Sequence, residues 1–78
     1  MNGDQLLQMA NDIGNFFRAE AVREDAVAGI ANHITKFWTR RMREKLLAQV
    51  RSGATGLDEL PAEALRRIAA AEPPPRSD

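Results

Sequence analysis

The chain has 78 residues, with 11 basic and 11 acidic side chains, a formal net charge of zero and no cysteine or tyrosine. One domain is the ceiling at this length, and an ordinary apolar content argues against wholesale disorder. The missing cysteine excludes disulfides and thiolate metal sites; no apolar run approaches the roughly 20 residues of a membrane span, and Met1-Asn2-Gly3-Asp4 does not open like a secretory leader.

The apolar periodicity predicts an all-α fold: a bundle of three main helices, a short C-terminal helix and a disordered tail. The first helix is expected from Asp4, its N-cap, to Arg18. Leu6, Met9, Ala10, Ile13, Phe16 and Phe17 form one stripe, and Gln8, Asn11, Asp12 and Asn15 face away. Gly14 lies at the stripe's edge, where it would let a neighbouring helix come close.

The second helix is expected over Arg23 to Trp38, with Val27, Ile30, Ala31, Ile34, Phe37 and Trp38 as its stripe and Glu24 and Asp25 in its first turn, where the helix dipole favours negative charge. No Gly or Pro separates it from the first helix. The break between them is expected because one straight helix of that length could not cover its own stripe.

A third helix follows from an N-cap at Thr39 to Ser52, with Met42, Leu46 and Val50 inward, Leu47 beside them, and Gly53 in the left-handed position that closes it. Leu57 and Leu60 should tuck inward from the loop. Pro61 suits the first turn of a fourth helix read as Ala62 to Ala71, with Leu65 and Ile68 on one side. Residues 1–72 therefore read as a single helical domain and 73–78 as a flexible Pro-rich tail.

Little in the chain can carry out catalysis. An active site needs reacting groups that converge, and here His33 is the single histidine, flanked by no metal-binding spacing. It reads as a half-buried side chain at a helix or subunit seam, one turn before Phe37. Gly53 and Gly56 follow a helix instead of opening one, so no phosphate loop is present.

The charge distribution is more informative. Residues 1–35 carry a net −3, residues 36–51 a net +5, and residues 52–78 a net −2. Within Lys36-Phe37-Trp38-Thr39-Arg40-Arg41-Met42-Arg43, Arg40 and Arg41 open a helix at its positive end, a placement that costs a few tenths of a kcal/mol each. An acidic partner surface would offset that cost. Arg and Trp are also frequent interface anchors. His33, Phe37, Trp38, Arg40, Arg41 and Met42 are therefore the candidate protein-contact residues. A solvated basic face, or a nucleic-acid-binding or regulatory module using residues 36–51, are the other readings. Zero net charge and a single basic stretch count against nucleic acid.

Two stretches carry a family resemblance. Met9-Ala10-Asn11-Asp12-Ile13-Gly14-Asn15-Phe16-Phe17 resembles the "MANxIxxFF" opening of the delta subunit of NAD-dependent formate dehydrogenase. Ala26 to Trp38, followed by Arg41-Met42, resembles that family's "AVxxIAxHIxxFW…RM". Thr39-Arg40 stands where the family often has a proline, and Ala21-Val22 where it often has a helix breaker. The resemblance spans roughly residues 5–60. It implies a non-catalytic, cytoplasmic accessory subunit without cofactor or metal of its own, docked most directly on the alpha subunit. It further implies a complex whose other subunits hold a molybdenum pterin, iron–sulfur clusters, FMN and the NAD site, with beta and gamma subunits alongside. No nucleic acid or membrane is expected as a partner.

Overall fold

The computed structural model describes residues 3–72, with side chains from Asp4 onward. The tail expected at 73–78 lies outside the described residues. Four helices follow in order: α1 (Gly3–Phe17), α2 (Arg23–Phe37), α3 (Arg40–Arg51) and α4 (Glu59–Ala71). The described residues contain no strand.

The local chemistry sets each boundary. α1 begins at Gly3, so Asp4 lies within the first turn, facing the positive end of the dipole, instead of capping the helix. The break between α1 and α2 falls at residues 18–22, as the length argument requires. α2 ends as Trp38 turns extended, its N–H still donating to the Ile34 carbonyl. Thr39 then caps α3 as expected, its hydroxyl oxygen accepting from the Met42 N–H at 3.2 Å.

At the other end of α3, the Ala54 N–H donates to the Gln49 carbonyl and the Gly53 N–H to the Val50 carbonyl, the paired closure of a Schellman motif. Gly53 supplies the left-handed φ of +100° that this closure needs.

α4 starts earlier than Ala62, at Glu59, and runs for 13 residues. Asp58 takes the N-cap conformation, and Pro61 falls within the first turn, where a missing N–H breaks no helical bond.

One cluster joins all four helices. Leu6 and Ala10 come from α1, Val27, Ile30 and Ile34 from α2, Leu46 from α3, and Ala64 and Leu65 from α4, with Trp38 closing it from the α2–α3 connection. Met9, Ile13, Phe17, Ala31, Met42, Leu57, Leu60 and Ile68 pack around it, so Leu57 and Leu60 point inward as the sequence predicts, Leu57 from the loop and Leu60 from the first turn of α4. α2 makes its most extensive contact with α4.

Two glycines allow the helices to approach. A Cβ on Gly14 would lie 2.9 Å from Pro61 Cδ, and one on Gly29 would lie 2.5 Å from the Phe17 ring. Asn11, assigned to the outer face by periodicity, ties down the loop before α4. Its amide donates to the Gly56 carbonyl and its oxygen accepts from the Asp58 N–H, both at 2.8 Å.

Two stripe residues differ from expectation. Phe16 is 76% exposed and Phe37 is 70% exposed. Each precedes another aromatic that takes the inward place, Phe17 and Trp38. Consecutive helical residues diverge by about 100°, and a domain this small has core enough for one ring of each pair.

The Gly14 contact yields a test. Proline is rigid and Gly14 is buried, so Gly14→Ala should lower stability by about 1–3 kcal/mol through overpacking. This overrides the gain of up to about 1 kcal/mol that alanine brings to a helix interior. Thermal unfolding followed by circular dichroism measures it.

Candidate interaction surface

The six residues singled out from the sequence do not share one surface. Trp38 is 5% exposed and belongs to the core, and Met42 packs against that core. His33 is half-buried and Phe37 exposed, with ring centroids 4.7 Å apart. Arg40 and Arg41 are both exposed at the start of α3.

The two arginines differ in their partners. Arg40 pairs with Glu44 at 2.7 Å and with Glu72 at 3.2 Å. Arg43, largely buried, donates from Nη1 to the Trp38 carbonyl and from Nη2 to Glu72, while its buried Nε has no partner. The positive start of α3 is therefore answered within the chain by Glu72, at the end of α4. Of the two arginines for which the sequence argument invoked an acidic partner, Arg40 finds its offset within the chain, at Glu44 and Glu72. Glu72 was out of reach for that argument because it is distant along the chain. Arg41 and Lys36 make no ion pair among the described residues.

A second network ties α2 to α4. Arg23 meets Glu59 at 3.1 Å; Arg66 meets Glu59 at 3.3 Å and Glu63 at 2.8 Å; Arg67 meets Glu63 at 3.1 Å. Arg67 also grips both oxygens of Glu24. Its hydrogen bond holds the Glu24 carboxyl below the ordinary carboxylate value, and bonds from Arg66 and Arg67 do the same for Glu63. Within the basic 36–51 segment, Arg40 and Arg43 both face Glu72.

The aromatic residues line up beyond those six. Phe16 stands edge-on to Phe17, with centroids 5.0 Å apart. The Phe17 ring lies against Gly29. Gly29, His33 and Phe37 follow at four-residue steps on one face of α2. Phe16 thus joins the exposed aromatics, which periodicity alone placed in the core. Its one sequence signal is the doubled Phe16-Phe17 at the end of a helix.

Among the described residues no cluster of His, Asp or Glu could hold a metal ion, and no helix is long and apolar enough to cross a membrane. Compared with known families, residues 5–65 match the NADH-dependent formate dehydrogenase delta subunit family, FdsD. The chain belongs to that family. No curated protein and no solved structure matches it. The FdsD match extends past the two stretches quoted from the sequence, through the loop and into the first half of α4, and stops at the residue that completes the core, Leu65.

The two members of the Phe37-Trp38 pair predict opposite outcomes. Trp38→Ala should cost about 3–5 kcal/mol and strip helicity from the domain. Phe37→Ala should stay within about 0.5 kcal/mol of the parent, since an exposed ring contributes little to folding. Chemical denaturation of both variants compares them.

The ion-pair network sets a pH response. Folded Glu24 and Glu63 bind protons less tightly than in the unfolded chain, so their contribution is complete above the ordinary value of 4.5 and is lost as pH falls through their lower folded values. The Tm should fall on acidification below that value, and Glu24→Gln with Glu63→Gln should flatten the dependence. Melts between about pH 6 and about pH 3 follow it.

Proposed function

We propose that this chain is a non-catalytic accessory subunit that docks on the alpha subunit of a soluble, NAD-dependent formate dehydrogenase and supports its assembly or stability. The observation that carries this reading is membership of the delta-subunit family across residues 5–65. The residue inventory supports it: without cysteine, this chain offers no thiolate to an iron–sulfur cluster, and its one histidine lies against a phenylalanine ring.

In this reading the chemistry belongs to the other subunits. Formate is oxidised to carbon dioxide at a molybdenum pterin in the alpha subunit, which also holds iron–sulfur clusters. The beta and gamma subunits carry FMN and further clusters and reduce NAD. The complex works in the cytoplasm. The chain contributes surface. A domain of this size buries a modest fraction of its area, and a partner that binds only the folded form stabilises it by mass action.

The test is co-expression of the enzyme subunits with and without the tagged chain. Affinity capture of the chain should bring down the alpha subunit, and extracts lacking the chain should lose formate-dependent NAD reduction or lose it faster on warming. Full yield, activity and heat resistance without the chain, together with no capture, would refute the reading.

A further inference from the structure

The core does not hold the four helices equally. α1 buries Leu6 and Ala10, α2 buries Ala26, Val27, Ile30 and Ile34, and α4 buries Pro61, Ala64 and Leu65. α3 buries Leu46 alone, with Met42 packed beside the core. On its α4 side the packing is open. A cleft of about 500 Å³ and a second of about 200 Å³ lie between the two helices, and Leu47 and Leu65 line both.

The segment containing α3 is fixed at its two ends and weakly held between them. Before it, Trp38 sits in the core. After it, Asn11 holds Gly56 and Asp58. Two joints stand between these points. Thr39 is extended, with φ −72° and ψ 159°. Gly53, Ala54 and Thr55 are exposed, and Gly53 has a φ of +100°.

A polar clamp closes the first turn of α3 on the end of α4: the Arg43 guanidinium donates to Glu72 and to the Trp38 carbonyl. The clamp is incomplete. Arg43 Nε is buried and finds no acceptor. A donor taken from water without a replacement bond works against the closed form, and releasing α3 returns that donor to water.

We propose that residues 39–55 form a hinged arm, in which α3 leaves the body made by α1, α2 and α4 as a unit, before the chain unfolds as a whole. The pivots are Thr39 and Gly53 to Thr55. This motion belongs to the chain alone and needs no partner. Opening brings Leu46 and Met42 into water and widens the clefts beside Leu65. A helix of 12 residues is marginal by itself, so the released arm unwinds and its amides exchange with solvent.

The test is native-state hydrogen exchange on the full chain, read amide by amide by NMR and corrected for intrinsic rates. Amides of Glu44 to Val50 should exchange at least about 10-fold faster than those of Ile30, Ile34 and Leu65. Glu72→Gln leaves Arg43 less well paired and should raise exchange in α3 while α2 keeps its rate. Arg43→Met keeps the bulk but removes the buried charge and its unpaired donor, and should slow exchange in α3. A plain ion-pair anchor would instead quicken α3 in both variants. Exchange of α3 in step with α2 and α4 in the unaltered chain overturns the inference. So does faster exchange of α3 in a folded Arg43→Met. Should either variant fail to fold, the comparison between helices of the unaltered chain decides by itself.

Discussion

The Phe17 ring occupies the space a side chain on Gly29 would need, and the rest of the arrangement depends on that contact. It seats the end of α1 against the middle of α2 with no room between them. Gly14 against Pro61 does the same for α1 and α4. With helices brought this close, a few medium-sized side chains around Ile30, Ile34, Leu46 and Leu65 suffice for a continuous core. A looser bundle of the same length would expose too much of that apolar surface to hold together.

The same close approach determines what faces outward. Once Phe17 is committed to Gly29, Phe16 points away from the core; once Trp38 closes the far end, Phe37 points away as well. The two doubled aromatics therefore each divide into a structural member and an exposed member. The exposed members sit at the C-terminal ends of α1 and α2.

Electrostatics divides the basic residues in a parallel way. α4 acts as the chain's acidic counterpart: Glu59 and Glu63 answer arginines on α2 and on α4 itself, and Glu72 answers Arg40 and Arg43 at the positive start of α3. These are surface or half-exposed pairs, so their value lies more in fixing which cations are engaged than in large stabilisation. Among the described residues, Lys36 and Arg41 make no ion pair. The chain's zero net charge thus hides an uneven supply of free positive charge.

The sequence by itself determined the four helices, the cap at Thr39, the left-handed closure at Gly53, the inward Leu57 and Leu60, the space made by Gly14 and the delta-subunit resemblance. Each of these is set by residues close together along the chain, through helical periodicity, cap chemistry or a glycine's freedom. Only the tertiary structure decided which ring of Phe16-Phe17 and of Phe37-Trp38 is buried, that Arg40 and Arg43 are neutralised by Glu72, and that Asn11 reaches the loop at Gly56 and Asp58. The physical reason is the same in each case. Adjacent residues on a helix are equivalent to the sequence pattern until a neighbouring helix covers one and not the other. Arg43 likewise finds its carboxylate 29 positions away along the chain.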